Sequence, residues 1–377
     1  MKKKRIVIIG GIRTHYIKIN AIQKMFQTFS DGFKENFDLI YINTGQHYDK
    51  SLTNFIEELN LFFHYNIEHK ERNSSAIISN MFKEVLYLLD IINKDNPIDY
   101  VLVMGDVITT ILSSLAATLK NIKIIHIEAG ARIKIGLGNE EKYRVMTDHL
   151  SNICFASTMH DYNNLLLDPF VKNSYFSGDI IYDFVKKYSF DNIINHFSYY
   201  KNDVKNYFWF DKREYILSSI HHAENINYNI LQNIFHALNL FKKCCVFIMH
   251  PRIKKFIFEN KINTYDVILV DYIPYLENLV AIKNCLFVLT DSGGIQREAF
   301  YLNKRCLVRS ETVVWYPIVE IGSSRTIGTS VADIQEGLLW ALNHSNDSFN
   351  NSNLFGDGNA VYKIFETIKG VESDEIN

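Results

Sequence analysis

Short runs of aliphatic and β-branched residues alternate along the chain with longer amphipathic stretches, and most of the runs end in a polar turn. In the first half the runs are Ile6–Ile9, Phe37–Asn43, Tyr100–Met104, Ile122–Ile127 and Ile153–Ser157. They are apolar at nearly every position, as strands covered on both faces are. Between them, Ser51–Leu59 and Ala76–Asn93 carry apolar residues at three-to-four spacing and predict helices. Pro97 and Asp99 punctuate the chain just before the strand at Tyr100. A less apolar stretch around Asp183–Asp211, rich in Asn, Lys, Tyr and Phe, interrupts the rhythm. The alternation then resumes with Glu214–Ser218, Cys244–Met249, Val267–Asp271, Leu286–Thr290 and Arg305–Val308, and with helices at Tyr228–Leu240 and Gly294–Leu302. Ala360–Lys369 predicts a last helix, followed by an acidic ESDEIN segment expected to fray. Two series of βα units predict an α/β protein of two doubly wound domains facing a cleft, with ligands at the carboxyl ends of the strands.

Composition narrows this picture. A length of 377 residues exceeds the roughly 250–300 at which one core stops growing. Forty basic against forty-two acidic residues leave a net charge of −2, which excludes bulk attraction to nucleic acid. No run approaches the roughly 18 apolar residues of a membrane helix, so no membrane insertion is expected. The opening MKKKRIVIIGGIRTH resembles a signal peptide only until Arg13 breaks it, and reads better as a first buried strand. Five scattered cysteines without CxxC spacing fit reduced thiols, hence a cytoplasmic setting, and offer neither a disulfide frame nor a zinc site.

The unusual polar clusters sit just after predicted strands. They are Gly10-Gly11-Ile12-Arg13, Thr44-Gly45-Gln46-His47, Gly105-Asp106, Glu128-Ala129-Gly130-Ala131-Arg132, His221-His222-Ala223-Glu224-Asn225 and Asp291-Ser292-Gly293-Gly294. Their shared position points to one site rather than six unrelated turns. In Asp291–Glu298, two glycines let backbone N–H groups approach a phosphate and the next helix adds its positive end, while Glu298 can accept from a ribose diol. A plain alternative makes Ser292 an N-cap, the glycines a tight turn and Glu298 solvated. The segment is neither a Walker loop nor GxGxxG.

Asp106 and Glu128 follow neighbouring strands, and with Glu140 they form a set of carboxylates that can trade protons if burial separates them. Alternatively, Asp106 caps a helix and Glu140 lies in a polar surface turn. Glu128, inside the apolar IIHIEAG run, needs a partner on any reading. His221 suits a phosphate donor or proton carrier, and the His221–His222–Glu224 spacing fits no usual metal-ligand pair. His126, in mid-strand, reads as a satisfied core histidine. Arg13 and Lys18 flank the first turn, where they either hold a phosphate or lie in solvent.

Taken in order, these segments resemble the non-hydrolysing UDP-N-acetylhexosamine 2-epimerases over nearly the whole chain. GIRTHYIK resembles that family's GTRPxxIK turn, with Thr14-His15 where the family has Pro-Glu or Pro-Gln. NTGQHYD, GDVITT, HIEAGAR, NEEKYRVMTDHLSNICFAST, HHAEN, MHPR and LTDSGGIQREAF are similar to its other signatures. Asn139 stands for a family Pro, Tyr143 for Asn and His222 for Arg, and ETVVWYP for a TExxE-like segment. HHAEN, MHPR and the NLFGDGNA ending lean toward the branch acting on UDP-2,3-diacetamido-hexuronic acid.

The resemblance implies two Rossmann-like domains in a glycosyltransferase-B-like arrangement. Residues 1–180 would carry the acid–base groups and 181–359 would bind UDP, with the terminal helix (360–377) packing back on the first domain. Asp106, Glu128 and Glu140 occupy the family's acid–base positions, and His221 and Arg13 would assist the diphosphate held by Ser292, Gly293 and Gly294. Glu298 would bind the ribose, with Lys18, Arg144 and Arg252 as further substrate contacts. The implied reaction is reversible C2 epimerisation through a glycal, serving bacterial surface-polysaccharide precursors, without cofactor or metal and with a homodimer carried over. A hydrolysing 2-epimerase and a glycosyltransferase of the same fold remain the alternatives.

Overall fold

The structure, a computed structural model, describes residues 3–46, 55–69, 73–132, 138–188, 193, 196–201, 204–211, 214–271, 273–310, 315–347, 349 and 353–371. It divides into two units, Met1–Lys187 with Asn353–Asn377, and Tyr188–Ser352. The break falls after Lys187 rather than after 180, and the return begins at 353 rather than 360, because the helix Ile180–Lys187 and the segment before the last helix both pack in the first unit.

The first unit holds a parallel sheet of β1 (Lys4–Gly10), β2 (Phe37–Asn43), β3 (Tyr65–Asn66), β4 (Tyr100–Met104), β5 (Lys123–Ala129), β6 (Ile153–Ala156) and β7 (Ser174–Phe176). Its strand order is β3-β2-β1-β4-β5-β6-β7. The opening segment is therefore a central strand, and Ile6, Val7, Ile8 and Ile9 have no exposed surface. Both faces are covered: Val7, Ile9, Val101 and Val103 meet Val85 and Leu89 of the helix Ser74–Asp95. This explains the uninterrupted apolar runs.

In the second unit β10 (Ile216–Ser219), β11 (Cys245–Ile248), β12 (Ile268–Val270), β13 (Val288–Thr290), β14 (Cys306–Val308) and β15 (Ser324–Thr326) form a parallel sheet in the order β12-β11-β10-β13-β14-β15. The stretch that breaks the sequence rhythm contains an antiparallel hairpin, β8 (His196–Lys201) with β9 (Val204–Trp209). Phe197 and Phe208 of the hairpin, and Phe210 just after it, are buried and belong to the second unit's core. Each unit is thus an α/β, Rossmann-like domain. Among the described residues no helix is long and apolar enough to cross a membrane. His47, residues 51–54 of the expected helix Ser51–Leu59, 311–314 of ETVVWYP and the acidic end all lie outside the described residues.

The helix Ala360–Gly370 is held at both ends. Asp183, fully buried, accepts the backbone N–H groups of Ala360 at 2.9 Å and Val361 at 2.8 Å. Lys4 Nζ donates to the carbonyls of Ile368, Lys369 and Val371 at the other end. Each charge matches the pole of the helix dipole it meets. Gly178 and Gly356 lie face to face beside this clamp, and Asp179 N–H donates to the Phe355 carbonyl over 2.9 Å.

Burial pushes Asp183 up to about 6, against the two N–H groups and Lys187 that favour its charge. The folded value lies above the roughly 3.9 of an unfolded Asp, so folding binds a proton between the two. This contribution is complete below about pH 4 and is lost as pH rises through about 6. Asp183→Asn cannot titrate, so its stability relative to the unsubstituted chain is expected to rise by roughly 2–3 kcal/mol from about pH 4 to about pH 7. Urea unfolding of both chains at the two pH values measures this, and a difference constant with pH would contradict it.

Candidate functional site

In a doubly wound sheet, loops leave in opposite directions where the strand order reverses, and the gap opens at the carboxyl ends of the strands there. In the first unit that point lies between β1 and β4, and in the second between β10 and β13. Gly10 ends β1 and Gly11 and Arg13 follow it, Gly105 and Asp106 follow β4, His221 and His222 follow β10, and Asp291 to Gly294 follow β13. The clusters picked out in the sequence thus occupy the reversal point of each sheet or a strand end beside it.

In the first unit, three of the turns are knitted together. A side chain on Gly11 would meet Thr44 Oγ1 at 1.9 Å and Thr109 Oγ1 at 2.6 Å, so only glycine fits. Thr44 and Thr109 share a hydroxyl hydrogen bond of 2.9 Å, and Gln46 Oε1 accepts the Thr109 N–H at 2.9 Å. Arg13 opens the helix Arg13–Thr28 with its guanidinium 4.8 Å from the centre of the Phe55 ring.

Glu128 has a left-handed backbone, φ +68°, at a bulge where the pairing of β5 with β6 shifts between Ile127 and Ala129. Such strain costs about 1–3 kcal/mol and clusters at functional sites. Its carboxylate pairs with Lys18, whose side chain is 2% exposed. Lys18 is therefore not in solvent but buried against an acid. Its Nζ and His15 Nε2 both lie within 4 Å of where a Cβ on Gly105 would stand. Asp106 does not cap the following helix, Ile108–Leu119, whose N-cap is Val107, and instead pairs with Arg144.

Arg144 is buried and also grips Glu141, one turn earlier on the helix Asn139–Leu150. Glu140 sits in the first turn of that helix, not in a loop, and faces solvent, so Glu141 rather than Glu140 joins the Arg144 pair. The i, i+3 spacing of Glu141 and Arg144 is the sequence signal for that contact. His126 is buried with both ring nitrogens engaged, to Asp148 and to the Gly105 carbonyl, at 2.7 Å each.

In the second unit, Asp291 ties the ends of β10 and β13 together. Its oxygens accept the backbone N–H of His221 at 3.0 Å and of His222 at 2.9 Å, and the Asn225 amide at 2.9 Å. His221 Nδ1 stands 3.3 Å from Asp291 Oδ1, and its ring stacks on His250 with centroids 5.9 Å apart. Ligand atoms of His221, His222 and Asp291 lie within 4.8 Å of one another, a spacing open to a metal ion. The hydrogen bonds that Asp291 already accepts fit a turn-holding carboxylate better than a ligand.

Ser292 caps the helix Gly293–Tyr301, accepting from the Ile295 N–H, so the plain N-cap reading holds for its side chain. A Cβ on Gly293 would lie 3.2 Å from Trp315 Nε1, while on Gly294 its nearest neighbour is Ser292 Oγ at 3.7 Å. The indole of Trp315 also stacks under Arg297, 4.3 Å from the guanidinium. Glu298 is 6% exposed, so it is not on a solvated face. Arg252 is exposed at the start of the helix Pro251–Glu259, beyond β11. The sequence reading missed Asp148 and Glu141, and named Asn225 only within its cluster, without the role of holding the turn.

The family model for UDP-N-acetylglucosamine 2-epimerase matches residues 32–369. A UDP-N-acetylglucosamine 2-epimerase homolog of Methanococcus maripaludis is 32% identical over 97% of this chain and 100% of its own length. The UDP-2,3-diacetamido-2,3-dideoxy-D-glucuronate 2-epimerase of Pseudomonas aeruginosa is 28% identical over 96% of this chain and 98% of its own. The crystal structure of Methanocaldococcus jannaschii UDP-GlcNAc 2-epimerase, in complex with UDP-GlcNAc and UDP, superposes with a TM-score of 0.76. It is 27% identical, over 97% of this chain and 99% of that one. With its two parallel sheets and their glycine-bearing turns, this chain belongs to the UDP-N-acetylglucosamine 2-epimerase family.

Proposed function

We propose that the protein interconverts a UDP-N-acetylhexosamine, or a derivative of one, with its C2 epimer by eliminating UDP and adding it back. The observation that carries this reading is Glu128: a carboxylate on a left-handed bulge, paired with buried Lys18, at the strand next to the one that presents Asp106. The C2–H of the sugar is not acidic while the anomeric C–O bond is intact. Departure of UDP builds positive charge at C1, and a carboxylate then takes the C2 proton to leave a glycal. Return of a proton to the opposite face, with re-addition of UDP at C1, gives the epimer.

Two faces need two proton carriers, which is the role we give Asp106 and Glu128, with Glu140 as the third carboxylate. Lys18 anchors the Glu128 carboxylate, and Arg144, locked between Asp106 and Glu141, anchors that of Asp106. The leaving diphosphate needs fixed donors. In this reading they are the first N–H groups of the helix Gly293–Tyr301, with Ser292, Gly293 and Gly294, and His221, Arg13 and Arg252 assisting. Buried Glu298, one turn into that helix, takes the ribose hydroxyls. The reading requires neither cofactor nor metal. The diacetamido-uronic acid branch is supported by the HHAEN and NLFGDGNA segments and by the Pseudomonas relative. Its product would feed surface-polysaccharide precursors.

Proton NMR in D₂O tests the proposal, with UDP-GlcNAc and with its 2,3-diacetamido uronic acid analogue as substrates. The expected result is a UDP-linked 2-epimer carrying deuterium at C2. Free reducing sugar with deuterium at C2, alongside UDP, would place the chain with hydrolysing epimerases. No change in either sugar would refute C2 chemistry and turn the search to glycosyl acceptors.

A further inference from the structure

The Gly105 carbonyl immediately precedes Asp106, and His126 lies two residues before Glu128 in β5. His126 Nε2 is 2.7 Å from that carbonyl oxygen, and Nδ1 is 2.7 Å from Asp148 Oδ1, with neither side chain exposed. A carbonyl only accepts, so the hydrogen of the first bond belongs to the ring. The other oxygen of Asp148 accepts from Arg132 Nη1 at 2.7 Å and from the Gly130 N–H at 3.3 Å. Burial raises the Asp148 carboxyl, but His126 and Arg132 outweigh it and hold it below the ordinary carboxylate range. The Nδ1 contact with Asp148 Oδ1 carries the link on from the other side of the ring. The chain of hydrogen bonds thus runs from the turn of Asp106, through the strand of Glu128, to the helix that carries Glu140 and Arg144.

Packing alone does not call for this. His126 stands among Ile124, Ile125 and Ile127, where another aliphatic residue would continue the run without burying a polar ring and a carboxylate. What the pair adds is direction. Gly105 has φ +66°, and Glu128 follows at φ +68°. The His126 ring bonds one of these turns and is two residues from the other.

We propose that His126 and Asp148 are positioning residues, which hold the Asp106 turn in register with the Glu128 bulge without touching substrate. This rests on the C2 epimerisation proposed above. Two substitutions separate the two hydrogen bonds. His126→Asn keeps a donor near Nδ1, toward Asp148, and loses Gly105. His126→Gln reaches the Nε2 position, toward Gly105, and loses Asp148.

A merely structural role would lower the melting temperature of both and leave the kcat of the folded enzymes alike. Positioning predicts that His126→Asn loses about a hundredfold in kcat with KM within about threefold, while His126→Gln stays within about tenfold of the unsubstituted enzyme. Equal kcat values in the two folded variants would overturn it. Should His126→Asn fail to fold, nitrogen-15 NMR of the histidines in the unsubstituted protein decides. A hydrogen on His126 Nε2 is expected, and a bare Nε2 overturns the network. An unsubstituted chain inactive on both UDP-sugars would remove the proposed function and this role with it, whereas an active one with indifferent variants overturns the positioning alone.

Discussion

Glu128→Gln is expected to lower turnover by about a thousandfold or more while UDP affinity stays within about threefold. The amide has the shape of the carboxylate and sits at the same backbone position, but it cannot take the C2 proton. General acid–base groups typically contribute a factor of about 10² to 10⁴, and a bulge-held carboxylate with one buried cation has no obvious substitute. Binding of UDP, assigned here to Ser292, Gly293, Gly294 and their neighbours, does not depend on that proton. A second effect accompanies the first. Lys18, 2% exposed, keeps its charge and loses the carboxylate opposite, which costs stability by leaving a buried ammonium less compensated. Turnover is therefore to be read at a temperature where the variant is shown to be folded. Deuterium wash-in at C2 and calorimetric titration with UDP give the two numbers. A fully active Glu128→Gln enzyme would remove the proton-carrier role.

A large stability effect is expected at Gly178→Ala. Gly178 has φ +88°, a region an L side chain enters at about 1–2 kcal/mol. Its Cβ would also stand 2.6 Å from the Phe355 carbonyl oxygen and 3.0 Å from Gly356 Cα. Both are backbone atoms, so no side chain can turn aside, and overpacking of this kind typically adds about 1–3 kcal/mol. The total, about 2–5 kcal/mol, is a large part of the roughly 5–15 kcal/mol that holds a domain folded. Gly322→Ala supplies the control, because Gly322 has φ +73° but nothing within 4 Å of its added Cβ. It bears the conformational cost alone. Urea unfolding of the two variants, each followed in its own unit, measures the contrast. Similar losses would mean that the Gly178–Gly356 approach contributes nothing.

Where both faces of a strand are buried, the sequence announces it. Phe37–Asn43 and Tyr100–Met104 form strands at the residues expected from their apolar runs. The hairpin at His196–Trp209 was not legible, because aromatics alternate there with Asn, Lys and Ser and no tight-turn glycine separates the strands. Tyr65–Asn66 and Ser174–Phe176 are too short for any period to register. The positions of the candidate groups were legible for a simple reason: polar residues directly after an apolar run mark the end of a sheet where ligands collect. Their partners were not. Nothing in the spacing told that Lys18 would turn inward to Glu128 or that Glu128 would take a left-handed backbone; of these pairings only that of Glu141 with Arg144 had a signal, their i, i+3 spacing. Such pairings depend on which helix crosses which strand end, and that is decided by tertiary packing.

The return of Asn353–Gly370 to the first unit orders events in time. The second unit is one uninterrupted stretch, so all of its core residues have been synthesised while the first unit still lacks the helix that Asp183 and Lys4 grip. On a ribosome the later-encoded domain can close first, and the earlier one must keep the aromatic surface of Phe26 and Phe37, which Phe365 covers, out of wrong contacts until the end. In refolding from denaturant the same closure spans the whole second unit, a distant contact of the kind that slows folding. The slowest step in assembling the first unit is thus the docking of a helix encoded almost a full chain length from the strand it completes.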